Sequence, residues 1–133
     1  MTTVVLDASA IIELSVGESP EPALRRLLLT NQAVAPELLD VEVASVLRRL
    51  AARGELEVGD AEEILSDILD APIERVSHRP LMRRAWQLRH TITAYDATYV
   101  ALAERLDATL ATCDARLAGS NGHDARIAHF AAS

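Results

Sequence analysis

The stretch TAYDATYVALAERL, residues 93–106, organises the rest of the chain and has the pattern of a helix. Thr93 and Asp96 have the spacing of a capping box, in which two side chains satisfy backbone donors at a helix start. At about 100° per residue, the predicted apolar side collects Tyr95, Tyr99, Leu102, Ala103 and Leu106. Thr98 faces away from that side, and Asp96 lies at its edge, near the positive end of the helix dipole. Asp96 is therefore either a simple helix cap or part of an acidic site.

The composition predicts one domain with an aliphatic core. The 133 residues suit a single domain over residues 1–133, and 50% of them are hydrophobic but only 3% aromatic. No apolar run has the length of a membrane span, and the start MTTVVLDASA lacks the basic region of a signal peptide. The single Cys113 has no partner for an internal disulfide, so we expect a cytoplasmic protein without membrane contacts.

The charge of the chain limits its function classes. A net charge of −7 argues against a simple nucleic-acid binder, because phosphate neutralisation favours basic proteins. Carboxylates that bind a divalent metal still allow contact with phosphate. All 13 basic residues are Arg. The absence of Lys argues against a P-loop, Schiff-base chemistry, receiver domains and haloacid-dehalogenase-like phosphatases, all of which use a lysine.

The order of apolar runs predicts an α/β fold with a parallel sheet. Strands are expected over residues 3–6, 32–35, 73–76 and 108–112, with an edge strand over 126–129. Helices are expected over residues 10–14, 21–30, 37–53, 59–70 and 93–106, within 75–90, and after residue 114. This alternation predicts four to five parallel strands with helices on both faces.

Four acids form a candidate site within that pattern. Asp7 and Asp114 each follow a strand, and the carboxyl ends of parallel strands meet at one edge, where open α/β sheets bind ligands. Glu42 and Asp96 lie at the borders of apolar helix faces. Asp40, on the opposite border of its helix, competes with Glu42 for a functional role. The simpler alternatives are that Asp7 and Asp96 cap helices and that Glu42 is solvated.

Carboxylates gathered in one cleft repel each other, and a hard divalent cation neutralises them. One or two Mg²⁺ ions can generate a hydroxide and stabilise in-line displacement at phosphate. Zinc is disfavoured because no His or Cys is spaced with these acids as a zinc site requires. The chain has no G-x-S-x-G elbow, and Cys113 has no evident His partner, so neither Ser nor Cys is expected to be a nucleophile.

The segment from Arg75 to Arg89 carries basic residues without an acid. It follows residues 55–70, which carry seven acids and no base. Two interpretations stay open: the arginines form a ridge that contacts phosphates, or they pair with the preceding acidic helix.

The sequence resembles the PIN-domain ribonucleases of the VapC-like toxin type, found in bacterial toxin–antitoxin pairs. Four acidic motifs in the family's order carry this resemblance over nearly the full length. They are VVLDASA at 4–10, ELLDVEVASVLRR at 37–49, TAYDATYVALAERL at 93–106 and ATCDARL at 111–117. The resemblance implies a Mg²⁺- or Mn²⁺-dependent endoribonuclease that cleaves single-stranded RNA.

The resemblance also implies roles for individual residues. The acidic quartet is Asp7, Glu42, Asp96 and Asp114, in which Asp7 and Asp96 are the surest metal ligands. Ser9 and Thr112 match the hydroxyl residues that help to arrange the site. Many relatives have a further acid where this chain has Arg116, which leaves open whether one or two ions bind.

The partners implied by the resemblance are a second copy of the chain, in a homodimer, and a cognate antitoxin that covers the active-site cleft. Operator DNA would be contacted through the antitoxin. Two alternatives from other classes are a catalytically silent PIN-like module that binds RNA or protein, and a hydrolase of small phosphate esters.

Overall fold

A five-stranded parallel sheet forms the centre of the computed structural model, which describes residues 2–133. Its strands are β1 (Thr3–Leu6), β2 (Gln32–Pro36), β3 (Ile73–Val76), β4 (Thr109–Thr112) and β5 (Ile127–His129). Their order across the sheet is β3-β2-β1-β4-β5, and every neighbouring pair is parallel. The predicted α/β class with four to five parallel strands is confirmed.

Within the described residues, seven α-helices connect the strands. They are α1 (Ala8–Val16), α2 (Pro22–Thr30), α3 (Leu38–Ala52), α4 (Val58–Asp70), α5 (Met82–Gln87), α6 (Ala94–Leu106) and α7 (Ala115–Ala118). None of the helices within residues 2–133 is long and apolar enough to cross a membrane.

The helix predicted within residues 75–90 is shorter than expected. Arg75 and Val76 belong to β3, where they pair with Ala35 and Pro36 of β2. A 3₁₀ turn at Arg79–Leu81 then precedes α5. Pro80 lies in that turn, where its fixed φ and missing N–H suit the start of a helix but not its interior. The regular helix therefore begins only at Met82.

The sheet is buried on both faces, because successive strand residues point to opposite sides. Val4 and Leu6 of β1 face a core made with helices α1 to α4. Val5 faces a second core made with α5 and α6. Both faces are therefore apolar, which explains why the strands are continuous apolar runs rather than alternating ones.

The one-sided apolar face predicted for α6 is wrong. Residues 97–103 are all buried, including Thr98 at 2% exposure, whereas Tyr95 and Leu106 are 61% and 44% exposed. The helix packs against the sheet on one side and against α5 on the other, so burial follows position along the helix. The Thr98 hydroxyl donates to the carbonyl of Ala94 at 2.8 Å, which satisfies it inside the core.

The strand order reverses beside β1. The chain runs from β1 to β2 and β3 on one side, then returns to β4 on the other side of β1. A parallel sheet opens a ligand-binding crevice at the carboxyl ends of the strands where this reversal occurs. Leu6 pairs with Ala111 in the last register position of β1 and β4. Asp7 and Asp114 therefore follow the two strands at the reversal point.

Candidate active site

The four predicted acids line one cavity of about 470 Å³ at this reversal point. Asp7 lies between β1 and α1, and Asp114 lies between β4 and α7. Glu42 comes from α3 and Asp96 from the first turn of α6. Acids that are far apart in the sequence thus reach the cavity from four different parts of the fold.

Asp7 is the most deeply buried of the four, at 5% exposure. Its Oδ1 accepts hydrogen bonds from the Ala10 backbone at 3.0 Å and the Ser9 hydroxyl at 2.7 Å, and its Oδ2 accepts one from Thr112. Burial raises the pKa of Asp7, and the charge of Asp114 adds to that effect, although the three hydrogen bonds oppose it. Asp7 therefore caps α1 and also presents a destabilised negative charge to the cavity.

The hydroxyls of Ser9 and Thr112 join the ends of β1 and β4. The two oxygens lie 3.2 Å apart. The Ser9 oxygen accepts from the Cys113 backbone at 2.9 Å, and the Thr112 oxygen accepts from the Asp114 backbone at 3.0 Å. Both residues thereby fix the chain around Asp7, at the positions for which the sequence predicts a supporting role.

Glu42 has a partner that the sequence analysis missed. The hydroxyl of Tyr99, a residue with 1% exposure, donates to Glu42 Oε1 at 2.6 Å. Burial, Asp96 and Asp7 raise the pKa of Glu42, and the Tyr99 hydrogen bond opposes this. Burial and Glu42 raise the pKa of Tyr99, so the phenol stays a donor. The available signal was that a buried tyrosine hydroxyl needs a polar partner.

Asp96 and Asp114 complete the acidic group. Burial raises the pKa of Asp96, as do the charges of Asp114 and Asp7, while Arg116 lowers it. Thr93 accepts a hydrogen bond from the Asp96 backbone at 3.1 Å, which is one of the two contacts of the predicted capping box. The Asp114 carboxylate caps α7 and lies 3.7 Å from the guanidinium of Arg116, which is 84% exposed. Arg116 is therefore a weakly held cation beside the site.

Asp40, the competitor of Glu42, lies outside the lining of this cavity. Its carboxylate is 3.0 Å from the Arg75 guanidinium, which also donates to the carbonyls of Ile68 and Ala71. Arg75 thus binds the carbonyl end of the acidic helix α4 rather than its carboxylates.

The donor set fits a hard divalent cation. All four acids offer oxygen, and three of them have a raised pKa, which a bound cation would lower. Within residues 2–133, no three acidic, His or Cys side chains form a ready-made metal-binding cluster. Burial and nearby acids raise the pKa of Cys113 to about 11, which keeps its thiol protonated and unsuited to a nucleophilic role.

Comparison with known proteins gives the family of the chain. The sequence pattern of the PIN domain matches residues 4–119. The chain belongs to the PIN-domain family. The chain is 40% identical to ribonuclease VapC12 of Mycobacterium tuberculosis, over 93% of this chain and 96% of the relative. It is also 40% identical to ribonuclease VapC1 of the same organism, over 92% and 93%.

The PIN fold is also seen in a DNA-bound VapBC structure from Salmonella typhimurium. The superposition covers 97% of this chain and 98% of the VapBC chain, with a TM-score of 0.71 and 16% sequence identity. At this identity the similarity concerns the fold, and it agrees with the predicted PIN architecture.

Proposed function

We propose that this PIN domain is a divalent-metal-dependent endoribonuclease and the toxin of a toxin–antitoxin pair. The observation that carries the proposal is the shared cavity of Asp7, Glu42, Asp96 and Asp114 at the carboxyl end of the sheet. The identity of 40% to two proteins named ribonucleases favours the same reaction class over a small phosphate-ester hydrolase.

We assign a role in this reaction to each of the four acids. Asp7 and Asp96 would hold Mg²⁺, with Mn²⁺ as an alternative ion, and Glu42 or Asp114 would position the ion or the attacking water. A bound ion supplies water activation and neutralises charge at the scissile phosphate. Burial of the carboxylates strengthens their attraction for a cation, because the surrounding dielectric is low.

Two hydrogen-bonded groups would hold the ligands in place. The hydroxyls of Ser9 and Thr112 fix the Asp7 carboxylate, and the Tyr99 hydroxyl fixes Glu42. Partners of this kind orient metal ligands and tune their basicity.

The RNA path would leave the acidic cavity beside Asp96. A second cavity of about 360 Å³ adjoins Asp96 and is lined by Arg89, His90 and Arg116. Arg89 lies 4.5 Å from the ring centre of Trp86, which is 67% exposed. Cations and an exposed aromatic ring bind single-stranded phosphates and bases. Of the segment from Arg75 to Arg89, we therefore propose that only the C-terminal end contacts RNA.

The proposed partners are a second copy of the chain, in a homodimer, and a cognate antitoxin that covers the cleft and contacts operator DNA. A surface suited to a protein partner lies beside an apolar cavity of about 710 Å³ between α1, α2 and α4. Leu29 at 76% exposure and Leu69 at 51% lie on these helices. Exposed apolar groups next to a concave apolar site are typical of binding surfaces.

A catalytically silent binding module is the alternative. It is favoured by the lack of three converged ligand side chains among the described residues. In that case the raised pKa values would be a consequence of burial without chemistry.

Cleavage of a panel of structured RNAs distinguishes the two functions. The antitoxin-free protein is incubated with Mg²⁺, with Mn²⁺ or with EDTA, beside an Asp96→Asn variant prepared identically. We expect discrete cuts that require metal and are absent from the variant. Equal cleavage by both proteins would indicate a contaminating nuclease. No cleavage and no metal binding by the wild type would support the silent module.

A further inference from the structure

The active-site cavity continues beyond the acids as an apolar groove between α1 and α3. Ile12 and Val16 follow each other by one turn on α1, and Val46 and Leu50 do so on α3. All four side chains are half-buried and line the same cavity as the carboxylates. The cavity thus has an acidic end at the sheet and an aliphatic end along the two helices.

The C-terminal residues Ala132 and Ser133 form a further part of the lining. The Ser133 backbone N–H donates to both carboxylate oxygens of Glu13 at 3.0 Å, and its hydroxyl donates to Glu13 Oε2 at 2.6 Å. The Ser133 hydroxyl also accepts from the Ser19 backbone at 2.9 Å. The Glu13 side chain and the Ser19 backbone therefore hold a segment without regular structure against the groove.

A second contact holds the same segment. The backbone of Ala131 donates to Glu21 Oε1 at 2.7 Å. Residues 131–133, named here the C-terminal wall, are thus fixed at both ends by acids that lie near the C-terminus of α1 and the start of α2. Two separate anchors define the position of the wall better than one, because they restrict its rotation as well as its distance.

The buried position of Glu13 depends on this contact. It is 5% exposed, and a buried carboxylate is costly unless donors satisfy it. The three hydrogen bonds donated by Ser133 satisfy the Glu13 carboxylate. Gly17 makes the arrangement possible, because a Cβ atom there would lie 2.4 Å from Glu13 Oε1 and 2.5 Å from the Glu13 carbonyl. Gly17 thus leaves the space in which the Glu13 carboxylate binds the C-terminal wall.

The chemistry of the groove selects an uncharged ligand group. Five side-chain carboxylates line the cavity, counting Glu13 with the four acids, so the cavity repels phosphate except at a bound cation. Aliphatic walls favour burial of a flat apolar surface. In an RNA strand, the group that is flat and uncharged is the base. A volume of about 470 Å³ lies within the usual range of small-molecule sites, about 300–1,000 Å³.

We propose that the aliphatic end of the cavity receives a nucleobase adjacent to the scissile phosphate, and that Glu13 is the positioning residue that holds the C-terminal wall against that base. This inference rests on the proposed ribonuclease function. Glu13 acts through Ser133 and takes no part in bond cleavage.

Two variants test the inference beside a matched control. Glu13→Gln keeps the size of the side chain but loses one of the two acceptor oxygens. Deletion of residues 132–133 removes two of the three wall residues, including Ser133, and touches no helix or strand. Glu18→Gln changes an exposed acid of the same connection that lies outside the cavity lining, and it serves as the control.

We expect KM for an RNA with one mapped cut to rise about 10-fold in Glu13→Gln and in the deletion, because the base buries less apolar surface there. We expect kcat to stay within about 2-fold of wild type, because neither change touches the reacting groups. Replacement of the base beside the cut by an abasic site should raise the wild-type KM similarly and should not affect the deletion further. Amide hydrogen exchange of Ser133 should become faster in Glu13→Gln. The Glu18→Gln control should match wild type in all measurements.

Combination of Glu13→Gln with the deletion separates positioning from other roles. If Glu13 acts through the wall, the double variant has the same KM as the deletion alone. A further rise in KM, a fall in kcat, or a wild-type KM that is insensitive to the abasic sites would overturn the inference while the ribonuclease function stands. Absence of wild-type cleavage would overturn the proposed function and this inference with it.

Discussion

The charged carboxylate of Asp96 destabilises the folded protein, and its replacement should remove that destabilisation. Because the pKa of Asp96 is raised, protonation stabilises the folded state below the ordinary Asp value of 3.8, and this stability is lost as pH rises through the raised value. We predict that Asp96→Asn unfolds at a higher temperature than wild type at pH 7 in EDTA. The advantage should disappear below pH 3.8, as measured by thermal unfolding at both pH values.

Asp40→Asn is the matched control, because it removes an acid that is paired with Arg75 and lies outside the cavity. It should show no gain in stability at pH 7. A higher unfolding temperature for the control, or an unchanged unfolding temperature for Asp96→Asn, would contradict the conclusion that burial and charge repulsion in the cavity destabilise the Asp96 carboxylate.

Tyr99 offers a second prediction at the scale of single residues. Tyr99→Phe removes the hydroxyl that donates to Glu42 and that lowers the Glu42 pKa. We expect kcat to fall about 10- to 100-fold, the usual effect of losing a partner of a metal ligand. The acidic limb of the pH–rate profile should move to higher pH. An unchanged profile would show that Glu42 does not take part in the reaction.

Site residues were predictable from the sequence where local structure places them, and were missed where a contact between distant parts of the chain does. Asp7 and Asp114 were predictable because strand ends meet in any parallel sheet. The contact of Tyr99 with Glu42 joins helices across 57 residues, and the choice of Glu42 over Asp40 depends on how α3 is rotated. Glu13 was missed because its partner, Ser133, lies in a segment without a periodic pattern.

At the scale of elements, α6 is the helix whose packing limits substitution most. Ala101 is 3% exposed and belongs to the buried middle of this helix. We predict that Ala101→Leu lowers the free energy of unfolding by about 1–3 kcal/mol, because there is no room for the added atoms. Ala94→Leu, at an exposed position of the same helix, should change it by less than about 0.5 kcal/mol. Equal effects in urea unfolding would contradict the two-sided packing of α6.

The basic cavity beside Asp96 gives a prediction about RNA binding. Arg89→Ala and Arg116→Ala should each weaken binding of single-stranded RNA and reduce the slope of log K against log salt by about 0.7. Arg126→Ala is the control, since Arg126 pairs with Asp107 at 2.8 Å and lies outside this cavity. Fluorescence anisotropy across a salt series measures both quantities. A reduced slope in the control alone would place the RNA elsewhere.

Elements were predictable where a local pattern decides them. The strand over Ile73–Val76 and the end of α4 at Asp70 matched expectation, since Pro72 and the apolar run define them locally. The predicted one-sided α6 failed because the sequence shows which residues are apolar but not how many partners a helix has. Thr98 illustrates this, since its hydroxyl bonds to its own helix and the residue is buried.

At the scale of the whole molecule, the strand order explains why an acidic protein can act on RNA. The reversal beside β1 brings acids from both halves of the chain to one cavity, while cations such as Arg89 and Arg116 lie next to it. Under the proposed function, burial of the carboxylates and repulsion among them would be the source of metal affinity. Metal binding should stabilise the fold by mass action, by about 2.7 kcal/mol at 100 times the dissociation constant.

Titration calorimetry of Mn²⁺ into metal-free protein tests this central claim most directly. We predict binding by the wild type and by Asp40→Asn, and affinity at least about 10-fold weaker in Asp7→Asn and Asp96→Asn. Equal Mn²⁺ affinity in all four proteins, or no binding by the wild type, would contradict a metal site built from these carboxylates.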